Sequence, residues 1–343
     1  MFTVYSEKEA FENIVLCNDT TPNWYNVCCN HSDVCLNIND KDLLNELIPG
    51  TIIFEYVKAN GGKEPIALFD FFENIREEPS CIAEKPRAAF ILDITKEKAE
   101  EYQSDFGVLV QSNCSIDDNI LQQTYYRELP ENSIVEKSTK AGWFHLFNFN
   151  LPPSNCAVIS DDFLLNNTEK DSIVGIPNLK SIFNAILPTN LKVPFHILVL
   201  TNDGTKTQKQ CEQIAGQLKT TFTSLRSYPI IFEIVFTSAL HKRKLFTNYL
   251  SVTCDRGFAM FKVSDLKTVR KGNDFRSEML FTRLIPEQGD SVLKSDNLLL
   301  KEIQNRCNEV KASIKVNGQT TNYRIMGDCK TDKSINNRLI QEV

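Results

Sequence analysis

"PFHILVLTNDGTKTQKQCEQIAGQLKTTFTSLRSYPIIFEIVF", residues 194–236, holds a complete strand, helix and strand in succession. "PFHILVL" and "PIIFEIVF" are continuous apolar runs of strand length, as expected of strands buried on both faces. Between them, Cys211, Ile214, Ala215, Leu218, Phe222 and Leu225 recur at helical spacing. The same alternation begins upstream. "CAVISDDFLL" (156–165) reads as a strand ending near the acidic pair Asp161 and Asp162, and "GIPNLKSIFNAILP" (175–188) as a helix. Strands alternating with helices predict an α/β fold with a parallel or mixed sheet covered on both faces. Short strands are expected at "KLFTNYL" and "GFAMFKV", joined by a turn at "CDRG". A later helix carries Leu299, Leu300, Ile303, Cys307, Val310 and Ile314 on one stripe. The last 20 or so residues are polar, and their composition predicts a loose end.

The first half reads as α+β or α/β. "SEKE" from Ser6 has the spacing of a capping box before a helix through "AFENIV". β-Branched and aromatic residues predict a strand at "TIIFEYV" (51–57), and Pro65 a helix over "PIALFDFFENI" (65–75). "AAFILDI" and "GVLVQS" are strands flanking a polar helix, and "NGGK" (60–63) is a turn too short for a phosphate loop. Paired prolines in "NLPPSN" (150–155) mark the expected linker, giving an acidic domain over 1–150 and a second domain over 151–343.

The 343 residues carry a net charge of −6, unevenly spread. Residues 1–150 hold 12 Lys and Arg against 25 Asp and Glu, whereas residues 203–283 hold 14 against 7. A basic stretch in an acidic chain points to a phosphate-bearing partner, or to attraction between the two parts. With 42% hydrophobic and 24% charged residues, the composition excludes a disordered chain. No apolar run reaches the roughly 18 residues of a membrane helix, and the acidic N-terminus lacks a secretory pattern. Eleven cysteines, an odd number, fit free thiols in a reducing compartment, so a cytoplasmic location is expected. Cys28, Cys29, His31 and Cys35 lie within "CCNHSDVC", but adjacent cysteines are poor zinc spacing. Buried thiols, with no metal or cofactor, are the expectation.

"LHKRKLFTN" (240–248) places His241, Arg243 and Asn248 in one short segment. In an extended chain His241 and Arg243 share a face. A guanidinium beside an imidazole can clamp a phosphate in bidentate fashion. Lys242, Lys244 and Arg256 add charge nearby. The spacing resembles the His-x-Lys-x4-Asp signature of the phospholipase D superfamily, with Arg243 at the lysine and Asn248 at the aspartate position. "HKRKLFTNYLSVTCDRGFAMFK" is similar to the C-terminal phospholipase-D-like domain of MIT-domain-containing proteins, where the motif also runs His-x-Arg-x4-Asn. The likeness spans residues 155 to 300 in element order and is specific over about 22 of them. Nothing in 1–150 resembles a MIT bundle.

The resemblance implies a mixed sheet flanked by helices. It also implies His241 as nucleophile if the site is active, Arg243 as phosphate clamp and Asn248 as the group orienting the histidine. An asparagine supplies no charge to an imidazolium, which weakens catalysis. Active members join two motifs at one site. His31, His145 and His196 stand in no second motif, so a phosphodiesterase would have to be a homodimer. The similar branch is non-catalytic and binds acidic phospholipid. The leading expectation is therefore a phosphate or polyanion binder, for nucleic acid or acidic lipid. Its acidic first domain would contact a protein partner. A metal-independent homodimeric nuclease or phospholipase, and a scaffold subunit, remain as alternatives. Lysine, asparagine and phenylalanine usage suggests an AT-rich bacterial genome, and unusual members of the superfamily often belong to phage-defence or nucleic-acid-processing systems.

Overall fold

The structure is a computed structural model that describes residues 2–17, 19–121, 124–135, 142–238, 242–279 and 292–341. It is mixed α/β and divides into two compact units. The first comprises Met1–Gln123 with Met279–Ser295, and the second Thr124–Glu278 with Asp296–Gln341. The division thus precedes the proline pair expected to mark it. Two elements upstream of residue 150 are committed to the second unit, as described below.

In the first unit, β1 (Phe2–Ser6) leads to α1 (Lys8–Leu16) and α2 (Pro22–Asn26). β2 (Ser32–Leu36) is followed by α3 (Asp40–Glu46) and α4 (Ile52–Ala59), then by β3 (Ile66–Ala67) and α5 (Phe69–Glu77). β4 (Ala88–Leu92), α6 (Lys96–Phe106) and β5 (Leu109–Ser112) complete it. The strands lie in the order β3-β2-β1-β4-β5, and every neighbouring pair is parallel. β4 is buried along its whole length, which its unbroken apolar sequence requires. The chain steps one way from β1 to β3 and the other way from β4 to β5. Right-handed crossovers then place helices on both faces of the sheet.

Three local expectations fail here. "TIIFEYV" forms α4, because Thr51 caps it by accepting from the Phe54 amide, and because Ile53 and Tyr56 fall on one buried helical face. Capping and burial outweigh β-branched propensity. "SEKE" is no capping box: Ser6 ends β1 and donates its hydroxyl to the Glu7 carbonyl, while Glu7 turns to other partners. In "PIALFDFFENI", Ile66 and Ala67 pair with β2, so the helix starts only at Phe69. α6 behaves as its polar sequence suggests, capped by the Thr95 side chain and ended by Gly107 at φ 65.

The second unit begins with β6 (Thr124–Leu129) and α7 (Trp143–Leu146). β7 (Cys156–Ser160) precedes a small hairpin of β8 (Thr168–Glu169) and β9 (Ser172–Ile173), then α8 (Gly175–Ile186). β10 (Phe195–Thr201), α9 (Gln208–Thr223) and β11 (Ile230–Phe236) follow. β12 (Lys244–Thr247), β13 (Leu250–Cys254) and β14 (Asn273–Met279) come next. α10 (Val292–Asn317), β15 (Arg324–Gly327) and α11 (Arg338–Gln341) close the chain. The sheet order is β15-β11-β10-β7-β12-β13-β14-β6. β7, β10 and β11 are parallel; β12 runs antiparallel to β7, and β15 to β11.

"KLFTNYL" is a hairpin rather than one strand, turning at Asn248 and Tyr249. "GFAMFKV" makes a single bridge, Phe261 to Val269, and the next strand is "NDFRSEM". That strand pairs with β6 over six residues, which binds 124–129 to this unit. Trp143 does the same for α7: fully buried, it meets Phe147, Phe258, Phe261 and Phe275.

The stripe on α10 packs on Val158, Leu198, Leu200 and Val235, together with Leu339 and Ile340 from the C-terminal segment. Phe183 of α8 meets Phe222 of α9 edge-on, and Phe222 meets Phe232 in the same way. Phe232 and Val235 differ by three positions on β11, hence lie on opposite faces, so the sheet is covered on both sides. Each fully buried Leu or Ile contributes about 1.5–3 kcal/mol. The polar C-terminal stretch is held, not loose. Arg324 pairs with Asp203, Asn337 donates to the Ala157 carbonyl, and Arg338 to the Pro194 carbonyl. Among the described residues no helix is long and apolar enough to cross a membrane.

Candidate functional site

The second unit's strand order reverses between β7 and β12. Ligands of open α/β sheets bind beyond the carboxyl ends of the parallel strands at such a reversal. Asp161 is the first residue beyond β7. It is buried, and its two carboxylate oxygens accept from the amides of Phe163 (3.0 Å) and Phe258 (2.8 Å). One acid thus holds the turn after β7 against the turn after β13. Burial pushes its carboxyl pKa up, opposed by these two amides and by the Arg243 guanidinium. The second turn explains the glycine of "CDRG". Gly257 has φ 94, and a Cβ there would approach Asp161 Oδ2 to 2.6 Å. Asn273, at the start of β14, completes the clasp by accepting from the Arg256 amide (2.9 Å) and donating to the Gly257 carbonyl (3.0 Å).

This scaffold walls a cleft of about 540 Å³, within the size range of small-molecule sites. Arg243, Arg256, Arg270 and Lys271 line it, against Glu131 and Asp161. Phe163, Asn167, Ala259, Met260 and Asn273 complete the wall. Arg243 precedes β12 and so stands beside the end of β7, where Lys244 faces Ser160. Its guanidinium donates to the Asp255 carbonyl and lies over the Phe163 ring, 5.6 Å from the centroid. Arg270 donates to the Ala259 carbonyl and pairs with Glu169 at 3.7 Å. Among the described residues, the Arg256 guanidinium and the Lys271 ammonium have no acid partner. Two cations without an acid partner in a concave wall can attract an anion, and a guanidinium has the planar fork that fits phosphate oxygens.

Of the residues expected from sequence, Arg243 and Arg256 come together in this cleft, from segments 13 positions apart. Lys242 is exposed and does not line it. Lys244 turns instead to Asp296 (3.5 Å) and the Ser251 hydroxyl (3.2 Å). Asn248 is fully buried at the far end of β12, roughly 16 Å along the strand from Arg243 at about 3.3 Å per residue. Its side-chain oxygen accepts from the Asn155 and Cys156 amides and its nitrogen donates to Asn155 Oδ1, which fixes the start of β7. His241 lies outside the described residues. His145 is buried, and His196 Nδ1 contacts the Asn336 carbonyl at 2.9 Å. The sequence motif did not reveal Arg270, Lys271 or Phe163. "TVRKGNDF" (268–275) contributed only to the general basic excess, and the fold of β14 against the turn gives its charges a place.

The first unit has its own reversal, between β1 and β4, with a different lining. Glu7 follows β1 directly. Its amide donates to the Ile91 carbonyl, and its carboxylate accepts from Asn37 (2.5 Å) and faces Arg76 (3.7 Å). Asp93 follows β4 and accepts from Asn113. A dinucleotide site needs glycines after the first strand so that backbone amides can reach the pyrophosphate. "YSEKEAF" has none, and puts a carboxylate there.

The cysteine segment is also not arranged for metal. Among the described residues no group of three or more His, Cys, Asp and Glu side chains is placed to hold an ion. Burial pushes the Cys35 thiol up to about 12 and the Cys28 thiol higher still, so both stay protonated and inert. The sequence matches no protein-family model and no curated protein, so the functional reading rests on the geometry of the basic cleft.

Proposed function

We propose that the second unit binds phosphate groups of a polyanion in the cleft beyond β7, as a non-catalytic phospholipase-D-like domain. The observation that carries this reading is the convergence of Arg243, Arg256, Arg270 and Lys271 on one concavity at the sheet's reversal point. Binding rather than cleavage is favoured by Asn248. Its amide is engaged with the backbone at the start of β7, and it carries no charge to stabilise an imidazolium. The acidic first unit repels the same ligand and serves as a partner-binding or inhibitory element. The whole chain would then act as a subunit of a bacterial defence or nucleic-acid-processing system.

The test is binding of a labelled single-stranded oligonucleotide and of anionic vesicles at low salt, by anisotropy and co-sedimentation. Arg243→Ala combined with Arg256→Ala should weaken whichever probe binds by about a hundredfold, since each charged hydrogen bond contributes about 1.5–3 kcal/mol. Unchanged binding of both probes by that variant removes the proposal. Metal-independent cleavage of the oligonucleotide, abolished by His241→Ala, would replace it with a phosphodiesterase.

A further inference from the structure

We infer that the cleft takes the nucleotide units of single-stranded nucleic acid rather than the headgroups of a membrane. The inference rests on the polyanion reading above and adds the ligand's class. Its starting point is Phe163, whose side chain is 50% exposed although the residue stands between two sheet-anchored segments. The ring is not on a free loop. Its own amide is held by Asp161 Oδ1, and the Leu164 amide that follows donates to the Asp161 carbonyl at 3.2 Å. A single exposed apolar side chain is ordinary on a protein surface; Phe163 is set apart by its place in the wall of the basic cleft. The Arg243 guanidinium covers it from one side, 5.6 Å from its centroid. Half exposure fits one covered face and one open face.

A phosphate alone leaves that open face unused, and so does a lipid headgroup, which has no π surface. A nucleobase uses it. Proteins that hold single strands combine a basic track for the backbone with aromatic and guanidinium planes on which bases stack. Here Arg256, Lys271 and Arg243 supply the track, and Phe163 supplies the plane a few ångströms from one of them. Met260 and Ala259 extend the apolar wall. The shape argues the same way. The cations line a concavity, whereas a bilayer presents a plane and is met by exposed basic surfaces.

The experiment compares three probes on the full chain at one low salt concentration: a labelled 12-mer of deoxythymidine, an abasic 12-mer of equal charge, and vesicles of phosphatidylserine in phosphatidylcholine. The thymidine strand should bind at least tenfold tighter than the abasic strand. Phe163→Ala should bring it down to the abasic level, and Phe163→Tyr should restore it. The exposure of the ring leaves the fold intact in both variants, which thermal unfolding verifies. Equal binding of the two strands, with both weakened by Arg256→Ala, overturns the base-stacking inference and leaves the polyanion reading standing. Vesicle binding tighter than the thymidine strand does the same. Failure of all three probes to bind overturns both.

Discussion

The chain contains two sheets with parallel strands whose order reverses, and the two reversal points carry opposite chemistry. Beyond β1 stands Glu7, held by Asn37 and Arg76, in an acidic half of the chain. Beyond β7 stands Asp161; both acids are buried, but Asp161 braces two turns through their amides, and four cations line the space in front of it. Topology makes a crevice in both places. Only the side chains decide whether an anion is welcome. In the second unit the acid is used as scaffold and the cations as lining; in the first the carboxylate itself occupies the position a phosphate would need.

The contrast breaks most readily at the glycines. Gly257→Ala introduces a Cβ 2.6 Å from Asp161 Oδ2 at φ 94, and should destabilise the second unit by about 3 kcal/mol in urea unfolding. Gly61→Ala in the "NGGK" turn of the first unit meets open space at φ 64, so only the backbone term of about 1 kcal/mol should remain. Equal losses at the two positions would refute the bracing role of Asp161.

Acid–base behaviour gives the next effect. Glu233 is fully buried on β11, accepts from the Asn336 amide, and is pushed by burial from 4.5 up to about 7. Its ionisation costs more in the folded chain than in the unfolded one. The stabilisation it gives is therefore complete below pH 4.5 and is lost as pH rises through about 7, amounting to about 3 kcal/mol. Glu233→Gln should flatten that part of the stability profile and make the chain more stable than the wild type at pH 8. A profile unchanged by the substitution would show that Glu233 is not the titrating group.

Smaller effects sharpen the comparison further. Arg256→Ala should weaken oligonucleotide binding about tenfold with no change in stability, because its guanidinium has no acid partner among the described residues. Glu7→Gln should do the reverse. It should lose about 1 kcal/mol through the weakened contact with Arg76 and leave oligonucleotide affinity as it was. A gain of affinity in Glu7→Gln would show that the first crevice also meets the ligand.

Much of this was legible in sequence where periodicity was long. The runs at 156–165, 194–200 and 229–236 and the helical stripes between them identified the α/β class. Two strands were not legible. β2 lies inside a cysteine-rich segment, and β15 lies in a polar tail, where Arg324 is drawn onto the sheet edge by Asp203. Neither shows the unbroken apolar run that reveals β4, a strand of the same length as β2. For the proposed site, the segment around Arg243 contains two of the residues that line the cleft, Arg243 and Arg256. Lys244 and Asn248 stand in the same motif but are engaged by Asp296 and by the backbone at the start of β7. Linear spacing cannot distinguish a lining residue from a braced one. Arg270 and Lys271 became part of the site only because Asn273 clasps the "CDRG" turn.

The salt dependence of binding tests the central claim most directly. The affinity of the full chain for a labelled single strand should fall linearly in logarithm with the logarithm of salt concentration. Each phosphate contact contributes about 0.7 to that slope. Arg243→Ala with Arg256→Ala should reduce the slope by about 1.4 as well as lowering affinity. An affinity that falls with an unchanged slope, or a slope near zero in the wild-type chain, would contradict a phosphate-binding cleft.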